Sequence, residues 1–187
     1  MENKTYKLNI ELLNSVIPAM SKEDVRYNIC GVHIHDKDGM RVYVATDGHK
    51  LFVAKELTDG ELLPENGITV KFKKELAKTK YDYCEMTIVD DETVVIKTIK
   101  EKLALDIINA EYPNYEKVIP SGETDVAKEY SVFDPDLLKD VRKFIGNDNY
   151  LKVPQQENSG SPAMWRVIDE DNKQMKIAIV MPLRFTK

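Results

Sequence analysis

A chain of 187 residues is long enough to bury a sizeable core as one large or two small domains, and 42% hydrophobic with 32% charged residues is the composition of a soluble globular protein. The net charge of −5 excludes a protein that coats nucleic acid through an overall basic surface, though it leaves room for local basic stripes. No apolar run approaches the ~18 residues of a membrane span, Met1 to Tyr6 lacks the basic-then-apolar order of a secretory signal, and Cys30 and Cys84 form no CxxC pair, so a cytoplasmic protein with buried, reduced thiols is expected.

Along the chain, Ile10, Leu13, Ile17 and Met20 recur at spacings of three and four, which predicts a helix with one buried stripe, capped by Asn9 and shortened or kinked at Pro18. Arg26 to His35 and Met40 to Ala45 read as strands around Asp36-Lys37-Asp38-Gly39, whose Asp-Gly suits a tight hairpin turn. Asp47-Gly48 makes the next reversal, into Leu51 to Ala54. A second run opens with a strand at Ile68 to Phe72 and a predicted helix over Lys73 to Lys80. Strands at Cys84 to Val89, Thr93 to Ile99 and Leu103 to Ile108 follow, separated by Asp90-Asp91 and Lys100-Glu101-Lys102. Pro120 to Lys128 is poor in apolar residues and reads as a linker. A third run has Asp134 as N-cap, Pro135 at the first helical position, Leu137, Leu138, Val141, Phe144 and Ile145 facing inward, and Gly146 at the end. Its strands are Leu151 to Val153, Met164 to Ile168 and Met175 to Met181, with a polar loop over Gln155 to Pro162. The order strand, helix, antiparallel strands thus recurs three times with a period of about 60 residues, which gives an α+β fold of three like units.

Four segments carry a family resemblance: Glu23-Asp24-Val25-Arg26-Tyr27, Ala45-Thr46-Asp47-Gly48-His49-Lys50-Leu51, Tyr112 to Pro120, and Val180-Met181-Pro182-Leu183-Arg184-Phe185. In kind and in order they resemble the bacterial DNA polymerase III beta subunit, the sliding clamp. The resemblance runs to that family's middle domain from about Tyr6 to Pro120 and to the closing half of its last domain from about Tyr130 to Phe185. It implies a clamp domain over 1–120, a linker over 121–129 and a half domain over 130–187, in a shortened clamp-like protein.

The resemblance further implies a peptide-binding cleft that takes short motifs rich in Gln, Leu and Phe from polymerase and repair proteins. The matching positions are Ile29, Thr46, Gly48, His49, Lys50, Leu51, Pro120, Ile179, Met181, Pro182, Leu183 and Arg184. Lys50 stands where the family often has Arg and lacks its planar fork, and Asn28 stands where an aromatic is often found. Met181 suits such a cleft by adapting its unbranched side chain to differing ligands, and Gly48 permits close backbone approach.

Lys73, Lys74, Lys78 and Lys80 on the second predicted helix, with Lys139, Arg142 and Lys143 on the third, form candidate basic stripes. In the family such helices line a channel and meet the phosphates of duplex DNA without reading bases, as sliding requires. The implied function is a processivity factor that encircles duplex DNA as a homo-oligomer. The alternative is a non-encircling decoy or adaptor that sequesters clamp-binding motifs. His33-Ile34-His35-Asp36 puts two imidazoles on one strand face, but a catalytic zinc usually takes three protein ligands, and neither a metal nor another cofactor is expected. No nucleophile elbow, phosphate-binding glycine loop or HExxH helix is present, so an enzyme is not expected, and no membrane partner is either.

Overall fold

The computed structural model describes residues 4–58, 60–77, 82–120, 131–146 and 154–183. In chain order these form β1 (Thr5–Asn9), α1 (Ile10–Val16), β2 (Val32–Lys37), β3 (Met40–Thr46), β4 (Lys50–Leu57), β5 (Ile68–Val70), β6 (Tyr83–Ile88), β7 (Thr93–Lys97), β8 (Lys102–Asp106), α2 (Pro135–Ile145), β9 (Ala163–Asp169) and β10 (Gln174–Val180). The local signals act as their chemistry requires. The Asn9 side chain accepts from Leu12 N to cap α1, and Pro18 converts the next turn to a short 3-10 segment at Ile17–Ala19. Asp134 accepts from Asp136 N to cap α2, with Pro135 in its first turn. Asp38 and Gly39 both take positive φ, 53° and 73°, as a tight hairpin turn demands.

The strands build two antiparallel sheets, a four-stranded one in the order β1-β6-β7-β8 and a six-stranded one in the order β5-β2-β3-β4-β10-β9. The first two units exchange their opening strands. β1 pairs with β6 from Thr5↔Thr87 to Asn9↔Tyr83, while β5 pairs with β2 from Val32↔Val70 to Ile34↔Ile68. The third unit joins through β10, which pairs with β4 from Gln174↔Glu56 to Val180↔Lys50.

Period-two alternation divides the six-stranded sheet into two faces. Tyr43, Ala45, Phe52, Ala54, Trp165, Ala178 and Val180 belong to the main core with residues of both helices, and Phe52 stacks on Phe144 of α2 at 4.3 Å. On the other face Val42, Val44, Leu51, Val53, Met164, Ile177 and Ile179 pack with Tyr112 and Tyr115. That second face carries the candidate site.

Two expectations fail. Lys73 to Ala77 is a bend at Lys73-Lys74 followed by irregular chain and not a helix, and Lys78 and Lys80 lie outside the described residues. The stretch offers only Leu76 as a large apolar anchor, and its backbone groups are claimed elsewhere. Asn14 accepts from Leu76 N at 2.7 Å and donates to Leu76 O at 2.9 Å, while Glu101 accepts from Ala77 N at 2.6 Å. Side chains thereby replace the helical ladder. The strand expected over Arg26 to His35 begins only at Val32, because Tyr27–Ile29 forms a 3-10 turn in which Cys30 N donates to Tyr27 O at 3.1 Å. The linker over 121–129 and the strand over 151–153 lie outside the described residues.

Candidate functional site

The loop between β3 and β4 is fixed by its own polar side chains. Asp47 Oδ1 accepts from His49 N and Lys50 N, both at 2.9 Å; Thr46 Oγ1 donates to Lys50 O at 2.7 Å and accepts from Gly48 N at 3.0 Å. Gly48 takes φ +89°, a left-handed conformation that L side chains rarely adopt. β10 runs beside this loop, and past its end Met181 N donates to His49 O at 3.1 Å. The two segments, far apart in sequence, are thus hydrogen-bonded to each other.

Between them and the 3-10 turn Tyr115–Val118 opens a groove of about 320 Å³. Of the expected cleft residues, Ile29, Thr46, Gly48, His49, Lys50, Leu51, Ile179 and Met181 line it. Pro120, Pro182 and Leu183 do not: Pro182 is buried, and Leu183 N is tied to Val132 O at 2.7 Å. Arg184 lies outside the described residues. Five lining residues escaped the list drawn from sequence, namely Arg26, Pro113, Asn114, Tyr115 and Val118. They fall within two of the segments that carry the resemblance, yet no spacing rule says that 113–118 folds back across β4 and β10.

Electrostatics separate the charged members. The Lys50 ammonium is directed to Asp140 of α2 at 2.5 Å, with Asp47 at 3.6 Å, so this lysine ties the third unit to the loop. Arg26 donates twice to the Asp24 carboxylate, at 3.0 and 2.8 Å, and the hydrogen-bonded guanidinium holds that carboxyl down at about 2. A Cβ on Gly48 would meet the Arg26 guanidinium at 2.8 Å, so the absence of a side chain there is what lets this arginine lie across the loop.

The expected basic stripe is broken up. Lys73 is exposed in the bend, Lys74 lies 3.3 Å from Glu101, and Lys143 lies 3.0 Å from Glu75. Lys139 and Arg142 are exposed on α2. His33 and His35 are bonded to protein groups, His33 Nδ1 to Thr69 Oγ1 at 3.0 Å and His35 Nε2 to the Tyr115 hydroxyl at 2.9 Å. Among the described residues no group of three or more His, Cys, Asp or Glu is placed to hold a metal. Cys84 is buried, which pushes its thiol up to about 12. Among the described residues no helix is long and apolar enough to cross a membrane.

Like units that exchange first strands, place helices on one sheet face and join edge to edge define a DNA-clamp fold. The profile of the DNA polymerase III beta subunit, central domain, matches residues 5–114. The beta sliding clamp of Chlamydia pneumoniae is 28% identical over 138 residues, which is 71% of this chain and 37% of that protein. Among solved structures, the DNA polymerase III beta subunit of Pseudomonas aeruginosa superposes with a TM-score of 0.73 at 19% identity, over 97% of this chain and 67% of its own. That of Thermotoga maritima gives 0.69 at 19% identity, over 97% and 66%. The chain belongs to the DNA polymerase III beta subunit family. It spans little more than a third of the curated relative it matches.

Proposed function

We propose that this chain is a non-enzymatic, sliding-clamp-type module of the cytoplasm, whose groove captures short apolar motifs of replication and repair proteins. The observation that carries this reading is the groove itself, in which the Thr46–Leu51 loop and the end of β10 form walls joined by the Met181–His49 hydrogen bond. Ile29, Leu51, Val118, Ile179 and Met181 offer apolar contact, and the hydrogen-bonded loop is ordered before any ligand arrives, which lowers the ordering cost of binding. A clamp domain over 1–120 and a half domain over 130–187 form one unit of this reading, closed into a homo-oligomer.

A fluorescence-anisotropy titration with a labelled peptide rich in Gln, Leu and Phe tests it. Val118 and Met181 line the groove without being fully buried, so their replacement probes binding with little cost to the fold. The double variant Val118→Ser, Met181→Ser should weaken binding by about tenfold or more, since each buried apolar side chain is worth roughly 1.5–3 kcal/mol. No saturable binding by the folded wild-type chain would refute the reading.

Contact with duplex DNA is proposed along α2, where Lys139 and Arg142 are exposed. Lys139→Glu with Arg142→Glu should lower affinity for every duplex sequence alike and flatten its salt dependence, by about one unit of slope per cation removed. Salt-sensitive retention on circular but not linear duplex identifies an encircling ring. Peptide binding by a monomer that ignores DNA identifies the decoy.

A further inference from the structure

Three alternate residues of β2 hold the outer wall of the groove from behind. His33, His35 and Lys37 project to one side of the strand, and each grips a different residue of the wall segment. His33 stacks on Tyr112, with ring centroids 4.7 Å apart and planes at 7°. His35 Nε2 lies 2.9 Å from the Tyr115 hydroxyl, and Lys37 Nζ donates to both Glu116 carboxylate oxygens, at 2.6 and 2.7 Å. The segment belongs to neither sheet, and the hydrogen bond from Ile119 N to Glu116 O only closes its own turn. Its purchase on the sheet therefore comes from side chains: this clasp, the apolar packing of Tyr112, Tyr115 and Ile119, and a hydrogen bond from Asn28 Nδ2 to Glu111 O at 2.9 Å.

None of the three β2 residues lines the groove, whereas Pro113, Asn114, Tyr115 and Val118 do. We propose that His33 and His35 are positioning residues for the groove: by holding Tyr112 and Tyr115 they set where the outer wall stands, and thereby the affinity for an apolar peptide motif. The ligand part of this inference rests on the peptide-binding reading above.

The clasp also makes the wall sensitive to acid. Burial, with the charge of His35 added, holds His33 down at about 4, and burial lowers His35 from the ordinary 6.5. The groups facing His35 act in both directions: Asp36 and Glu116 favour its cation, and Lys37 opposes it. Glu65 borders the same recess from the neighbouring loop. Burial pushes the Tyr112 and Tyr115 hydroxyls up, so both stay protonated throughout. A docked wall therefore binds fewer protons than an undocked one. Docking is at full strength above the ordinary imidazole value of 6.5 and weakens as the pH falls from there toward 4.

Two readouts test the inference on the full chain. Hydrogen exchange over residues 111–119 reports docking without any peptide, and anisotropy with the Gln-, Leu- and Phe-rich peptide at pH 5 to 8 reports the groove. His33→Ala and His35→Ala should each accelerate exchange and weaken peptide binding about fivefold, the scale of one lost hydrogen bond or stacked pair. The double variant His33→Phe, His35→Gln keeps the stack and a hydrogen-bonding partner for Tyr115 but cannot titrate. It should bind as the wild type does at pH 7.5 and lose most of the acid dependence. Unchanged exchange in both alanine variants, confirmed as folded by circular dichroism, overturns the inference, as does an acid slope that the double variant retains in full. Faster exchange with no peptide bound by any variant, wild type included, leaves the clasp standing and overturns the peptide-binding reading.

Discussion

Replacing Arg41 by alanine is expected to destabilise the protein by about 3–5 kcal/mol, the cost of removing one partner of a buried ion pair. The Arg41 side chain is 2% exposed and meets Asp36, itself 11% exposed, with Nε and Nη2 at 2.9 and 3.0 Å. Nη1 and Nη2 also donate to Lys7 O and Glu61 O, both at 2.8 Å, so one guanidinium ties β3 to β1 and to the loop after β4. Asp36 keeps a bond from Leu63 N at 2.7 Å in the variant, but its charge is left without a counterion. Arg41→Lys should recover only part of the loss, because an ammonium cannot serve all of these fixed acceptors at once. Urea denaturation followed by circular dichroism measures both variants. A midpoint for Arg41→Ala within error of the wild type would show that Arg41 contributes no net stability.

Gly67→Ala should cost about 2–5 kcal/mol, combining the roughly 1–2 kcal/mol penalty of a left-handed L residue with the roughly 1–3 kcal/mol of overpacking. Gly67 takes φ +66°, and a Cβ built there lies 2.6 Å from Ile34 O and 2.6 Å from the His35 Cβ, with His33 Cε1 at 3.0 Å. The first of these is backbone within the β2–β5 pairing, so relief requires the strands to move apart. The same motion would shift both imidazoles of the clasp. The variant should thus melt at a lower temperature and exchange faster over residues 111–119 than its global stability accounts for. Wild-type melting would show that the β5 edge yields without cost.

The elements that could be read from sequence are those whose signals are local. Asp134-Pro135 and the apolar stripe of α2 contain their own start and face, Asp38-Gly39 contains its own turn, and the Thr46–Lys50 loop is closed by hydrogen bonds among its own five residues. The late start of β2 is itself local, set by the 3-10 turn at Tyr27–Ile29, whereas what else escaped the sequence is decided by partners distant in the chain. Lys73 to Ala77 has helix-forming residues, yet Asn14 and Glu101 take its backbone groups. Lys50 lines the groove as its place in the loop implies, but the bond of its ammonium to Asp140, 90 positions later, has no local signal. Tyr115 and Val118 reach the groove because β2 side chains fasten their segment across the sheet, and nothing within Tyr112 to Pro120 states that destination.

The seating of β10 in the interior of the six-stranded sheet, between β4 and β9, has a consequence for biosynthesis. A ribosome delivers β4 more than a hundred residues before its partner, so the nascent chain carries Lys50–Leu57 as a bare, largely apolar edge until Gln174–Val180 follows. Such an edge is a template for pairing with other chains. The span in which β4 is most exposed to aggregation therefore ends only when β10 emerges, and the wall that completes the groove arrives in that same step.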